Sequence, residues 1–138
     1  MKIKIAALLA LCLFVSGIAG IQSASATDTT TFYNVDLKNG ELLTAPSYGA
    51  LDVKGKQFSD KAALRVRWDD YSYAGQNYTA KVTICYEDLF GDFNAQDYYF
   101  DVTNETDSLS DYWDIPYMNI DGDNLIIIQI QPYDPDGP

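Results

Sequence analysis

Near the C-terminus, Leu125-Ile126-Ile127-Ile128-Gln129-Ile130-Gln131 begins with four consecutive apolar residues, three of them β-branched. A strand with this pattern asks for burial on both faces. Asp121-Gly122-Asp123-Asn124 reads as the turn that precedes it, and Pro132 stops it. The run is too short for a globular helix but suits a central strand, so it is expected to be the element around which the others pack. Elsewhere the period is two. Leu64, Val66 and Trp68 alternate with Arg65, Arg67 and Asp69, and Tyr78, Ala80, Val82, Ile84 and Tyr86 alternate with Thr79, Lys81, Thr83, Cys85 and Glu87. Such alternation marks half-buried strands. Phe32 to Lys38 also alternates, and Asn39-Gly40 before Glu41 to Thr44 predicts a two-residue hairpin. Leu51 to Lys54, Asp97 to Thr103 and Tyr112 to Ile115 complete the set.

No useful length of sequence carries apolar residues at helical spacing. Short strands separated by Gly, Pro, Asn and Asp predict an all-β chain. The expected fold is a single antiparallel β-sandwich of about seven or eight strands, Ig-like or fibronectin III-like in architecture. Leu64-Arg65-Val66-Arg67-Trp68-Asp69, a loop, and then Tyr78 to Glu87 resemble the second and third strands of a fibronectin type III domain. Ile130-Gln131-Pro132-Tyr133-Asp134-Pro135-Asp136-Gly137 is similar to the exit from that family's sixth strand. The resemblance implies a sandwich. Beyond the Leu125 run, the sequence offers no seventh strand and no corner tyrosine just ahead of it.

The N-terminus changes the picture of where the domain begins. Lys2 and Lys4, an apolar run from Ile5 to Val15, and Ala24-Ser25-Ala26 form the three-part pattern of a cleaved signal peptide. The run is too short for a membrane span, and no later stretch approaches ~20 apolar residues. The expected organisation is a signal peptide over 1–26, a flexible arm over 27–31, the sandwich over 32–133 and a Pro-rich acidic tail over 134–138. A secreted, extracellular protein is the corresponding expectation.

Beyond Ala26 the chain holds seven basic and twenty acidic residues, a charge of −13. That surface repels nucleic acid and anionic membranes, which sets both aside as partners. Removing Cys12 with the leader leaves Cys85 without an internal partner. Cys85 is then either a buried, inert thiol or an intermolecular bridge. Its place on the polar face of its strand favours exposure unless a loop covers it.

Candidate chemistry is sparse. The chain has no histidine, which excludes Ser-His-Asp and Cys-His nucleophile systems and the usual zinc sites. No Gly-rich phosphate loop is present. A carboxylate pair is always available among twenty acids and points to nothing, so the chain is read as a non-enzyme. Calcium is the one cofactor considered, with Asp121 and Asp123 as its ligands, although the EF-hand pattern fails at its sixth and twelfth positions. Asn77-Tyr78-Thr79 and Asn104-Glu105-Thr106 fit the N-glycosylation acceptor pattern. The eleven tyrosines, six phenylalanines and two tryptophans are the most distinctive feature. They suit cross-strand pairing, and they also suit recognition of a glycan or protein.

The function expected from the sequence is a small secreted binding module, monomeric or weakly dimeric. It would contact a protein or glycan ligand through Tyr71, Tyr73, Tyr112 and Trp113. One alternative is an extracellular assembly protein linked through edge strands or Cys85. The other is a protein inhibitor of an extracellular enzyme.

Overall fold

The computed structural model describes residues 28–71, 77–103 and 108–133. These form eight strands: β1 (Asp28–Tyr33), β2 (Glu41–Ala45), β3 (Gly49–Gln57), β4 (Lys61–Asp70), β5 (Tyr78–Glu87), β6 (Phe93–Val102), β7 (Ser108–Pro116) and β8 (Asn124–Pro132). They build two antiparallel four-stranded sheets, in the orders β1-β8-β5-β6 and β2-β3-β4-β7. The protein is an antiparallel β-sandwich, as the pattern predicted. The calls on the signal peptide, Tyr73, Asn104 and the tail at 134–138 lie outside the described residues. Among the described residues, no helix is long and apolar enough to cross a membrane.

Strand β8 is interior to its sheet, between β1 and β5. Ile126, Ile128 and Ile130 point inward and join the main core, while Leu125 and Ile127 pack on the opposite face with Cys85, Phe93 and Ala95. All five are at most 2 % exposed, so the continuous apolar run is buried on both faces. Each such side chain contributes about 1.5–3 kcal/mol relative to exposure.

The other sheet meets this core with Leu51, Val53, Leu64, Val66, Trp68, Trp113 and Ile115. Trp68 is fully buried, and its Nε1 donates to the Tyr78 hydroxyl at 3.1 Å, so the indole is not left unpaired. The Tyr78 hydroxyl lies 2.5 Å from Asp70 Oδ1 and 2.9 Å from the Tyr48 carbonyl, which ties the end of β4 to the start of β5. Tyr98 stacks on Trp113 with ring centroids 4.1 Å apart and planes 5° from parallel.

The pairing bears on the fibronectin-like resemblance. Strand β4 lies between β3 and β7, and β8 lies beside β5. In the Ig-like arrangement the second strand pairs with the fifth and the third with the sixth. Here β4 and β5 take the second and third places and β8 the sixth. The seventh place is filled from the other end of the chain: β1 pairs antiparallel with β8 from Asp28 opposite Ile130 to Tyr33 opposite Leu125. The call of a flexible arm over 27–31 is therefore corrected from Asp28 onward. Those residues supply the neighbour that covers the free edge of β8.

The Asn39-Gly40 hairpin is corrected too, because β1 and β2 lie in different sheets. Residues 34–40 cross between the layers and bury Val35 and Leu37. Asn124 fastens this crossover. Its Oδ1 accepts from Val35 N at 2.8 Å, and its Nδ2 donates to the Val35 carbonyl at 3.0 Å. Of the pair, Gly40 has positive φ and Asn39 does not, whereas a type I′ turn needs both. Likewise Asp121-Gly122-Asp123-Asn124 joins β7 to β8 across the layers and is not a hairpin turn.

Burial raises the hydroxyl pKa of Tyr98 from 10.0 to about 12, and nearby Tyr86, Asp114 and Asp111 push in the same direction. A tyrosine whose folded pKa is raised contributes stability that is complete below its unfolded pKa and lost as pH climbs toward the folded one. Stability should therefore fall between about pH 10 and 12. Tyr98→Phe keeps the ring and should lessen that fall in denaturant titrations at stepped pH. An unchanged slope would mean that Tyr98 does not contribute to it.

Candidate binding face

In β3, Leu51 and Val53 turn inward, so Asp52, Lys54 and Lys56 turn out. In β4, Leu64, Val66 and Trp68 turn inward, which sends Lys61, Ala63, Arg65, Arg67 and Asp69 to the same outer face. The register places Lys54 opposite Arg65, Lys56 opposite Ala63, and Asp52 opposite Arg67. On the other side of β4, Tyr112 of β7 lies opposite Arg65. Five of the seven basic residues beyond Ala26 therefore share one sheet face of a strongly acidic chain.

Two of the five are neutralised on that face. Lys61 Nζ lies 3.2 Å from Asp114 Oδ2, and Arg67 Nε lies 2.8 Å from Asp69 Oδ1. Among the described residues, no carboxylate lies within ion-pair distance of Lys54, Lys56 or Arg65. Like charges directly opposite on neighbouring strands are destabilising, so Lys54 and Arg65 cost stability where they stand.

Around them is a shallow hollow of about 360 Å³, lined by Lys54, Gly55, Lys56, Phe58, Ala63, Arg65 and Tyr112. Ala63 leaves room at its centre, and the two rings stand at its edge, Phe58 42 % and Tyr112 72 % exposed. Lys56 Nζ and Lys61 Nζ lie 5.4 and 5.7 Å from the Phe58 ring centre. Phe58 is held in place by the hairpin: its N–H donates to the Lys61 carbonyl at 2.8 Å. Beside it, Gln57 Nε2 donates to the carbonyls of Phe58 and Met118, and Gln57 Oε1 accepts from Ile120 N. A second hollow of about 310 Å³ adjoins the first, lined by Asp52, Arg65, Val66, Arg67, Ser110, Asp111 and Tyr112. Arg65 and Tyr112 belong to both.

The structure does not gather the four aromatic residues expected to bind. Tyr112 stands on this face. Trp113, its neighbour on the strand, points the opposite way; it is 4 % exposed and packs against Tyr98 and Phe100 in the core. The expectation that Trp113 is a ligand contact is corrected, because adjacent residues on a strand face opposite sides. Tyr71 is half exposed just past β4, where its N–H donates to the Tyr48 carbonyl. Tyr73 lies outside the described residues.

The other candidate residues lie elsewhere. Asp121 is exposed, while Asp123 is 6 % exposed and its Oδ2 accepts no hydrogen bond. Among the described residues, no three acidic or cysteine side chains gather as a metal site. Asp69-Asp70 and Glu87-Asp88, two further pairs of adjacent acids, stand at opposite ends of the sandwich. Strand β5 starts beside Asp70 and runs nine residues before reaching Glu87, about 30 Å away.

Cys85 is fully buried, in the cluster with Leu125 and Ile127. Leu125, its partner on β8, and Ile127 pack over it, so its place in the polar half of the alternation does not expose it. The only other cysteine of the chain, Cys12, lies outside the described residues.

Sequence reasoning missed Lys54, Lys56, Phe58 and Arg65 as a group. The signal was present in the alternation Lys54-x-Lys56-x-Phe58 followed, after a short turn, by Arg65-x-Arg67. Two strands joined by a hairpin put such residues on one face, but only if the first strand continues through Gly55.

The fold defines the chain as an antiparallel β-sandwich domain of Ig-like or fibronectin III-like architecture. No family model and no curated protein matches it. Among solved structures, it is similar to the solution NMR structure of the uncharacterized lipoprotein YajI from Escherichia coli. Identity is 15 % and the TM-score 0.41, covering 80 % of this chain and 70 % of that one.

The opposed orientations of Tyr112 and Trp113 predict opposite behaviour. Trp113→Ala should destabilise the protein by about 3–5 kcal/mol, as expected for a buried aromatic ring. Tyr112→Ala should change stability by no more than about 0.5 kcal/mol. Urea denaturation of both variants checks the pair, and equal losses would contradict the assignment of faces.

Proposed function

We propose that this protein is an exported, non-enzymatic binding module whose working surface is the outer face of the β2-β3-β4-β7 sheet. Its ligand carries a carboxylate or a similar anionic group. The observation that carries this reading is the Lys54–Arg65 pair: two like charges directly opposite, with no carboxylate of the described residues within ion-pair distance, beside an exposed tyrosine. An arrangement that lowers the stability of the free protein makes sense where an incoming anion relieves the repulsion. Charge-assisted hydrogen bonds from Arg to carboxylate are strong and directional, and an aromatic edge adds contact area at little entropic cost. Export rests on the three-part pattern of residues 1–26.

The reading predicts a trade between stability and binding. Lys54→Glu replaces the repulsive pair with an attractive one and should raise stability by roughly 0.5–1 kcal/mol. The same change should abolish the binding of glucuronate or tetraglutamate followed by NMR titration, and Arg65→Gln should weaken it strongly. Binding to the unaltered protein should fall as salt screens the partly exposed charges. A Lys54→Glu variant that binds these anions as well as the parent would end the proposal.

A further inference from the structure

The two adjoining hollows differ in chemistry, and the difference narrows the ligand. The first has three unneutralised cations and two aromatic edges. The second has Asp52 and Ser110 with Arg67, so it offers a hydroxyl-accepting carboxylate beside a donor. Arg65 and Tyr112 form the shared ridge between them. Resting on the reading of this face as anion-binding, we infer that its ligand is the acidic end of an oligosaccharide. A sugar carboxylate ring occupies the first hollow, and the neutral ring next to it crosses Tyr112 into the second.

Three observations favour this over other anions. A long polyanion does not suit the face: β3, β4 and β7 span only about 10 Å, and Asp52, Asp69 and Asp114 border the cations on the same side. Nucleic acid or an extended acidic polymer would run off the cations onto like charge. An acidic peptide side chain satisfies Lys54 and Arg65 but leaves a hollow of about 360 Å³ largely unfilled, whereas a pyranose ring has the bulk to occupy it. The Asp52 carboxylate in the second hollow would repel a second acidic group, yet it accepts hydrogen bonds from sugar hydroxyls, as Asp does when ionised. The pattern acidic-then-neutral is therefore written into the face, with Tyr112 offering its ring to the apolar side of whichever sugar crosses it.

The test uses four probes with the full protein: glucuronate, glucuronyl-glucose, the neutral disaccharide glucosyl-glucose of the same linkage, and tetraglutamate. Binding is followed by NMR titration and calorimetry, with thermal melts to confirm that each variant is folded. Glucuronyl-glucose should bind about tenfold or more tightly than its neutral counterpart, the equivalent of one charge-assisted hydrogen bond. Tyr112→Ala should weaken glucuronyl-glucose and glucuronate alike. Asp52→Asn should weaken glucuronyl-glucose several-fold and leave free glucuronate unchanged, a split that a merely structural role for Asp52 would not produce. If tetraglutamate binds as tightly as glucuronyl-glucose and Asp52→Asn has no effect, the sugar assignment fails while the anion-binding face stands. If glucosyl-glucose binds equally well, or if no anion binds at all, both readings fail together.

Discussion

The register between β3 and β4 is the constraint on which the rest of the structure depends. Because side chains alternate, a slip of β3 by one residue would turn Lys54 inward and expose Val53, and the same slip of β4 would turn Arg65 inward and expose Leu64 and Val66. The inward residues are fully buried, and each contributes about 1.5–3 kcal/mol by leaving water. Against that, the repulsion between two exposed cations on the outer face is worth at most about 1 kcal/mol. The apolar side decides the register, and the charged side accepts it. Gly55 belongs to the same lock. A Cβ there would come within 2.6 Å of Leu64 Cδ2 and 2.8 Å of Ile120 Cδ1, so the strand continues through a glycine to leave room for its β4 partner and for the crossover that follows β7.

The crossovers between layers are held by side-chain amides in place of regular ladders. Asn124 binds both the N–H and the carbonyl of Val35, and Gln57 binds carbonyls from its own hairpin and from the segment after β7. Backbone polar groups that leave a sheet must find partners, and a buried one without a partner costs more than the bond itself contributes. Gln57 thereby also fixes the hairpin that carries Phe58. The positioning of an exposed ring on the binding face thus descends from a satisfied backbone several residues away.

The aromatic residues divide along the same lines. Tyr78, Trp68, Phe100, Trp113 and Tyr98 form a continuous chain of ring contacts through the middle of the sandwich, with the Trp68 N–H and the Tyr78 hydroxyl paired at one end. Both tryptophans, together with Tyr48, Tyr78, Tyr86 and Tyr98, therefore answer to the packing of the two sheets. Among the exposed rings of the described residues, Phe58 and Tyr112 are the two that line the hollow of unneutralised cations.

Local pattern alone was enough to name the all-β class, the alternating strands β4 and β5, and the doubly buried β8. In each, the period of the side chains and their demand for burial are properties of a short segment. The second-to-third strand resemblance implied a sandwich, and the two packed sheets are one. What it could not settle was which strand lies beside which. Asp28–Tyr33 looked like an arm because its threonines carry little apolar signal, and only the open edge of β8 makes it a strand. Trp113 looked like a ligand contact until its partner Leu64 fixed the inward side of β7. Lys54 and Arg65 are eleven residues apart in the chain, and nothing local says that they face each other. That juxtaposition exists only once the inner faces have packed, because long-range register is set by the core and not by the residues displayed on its back.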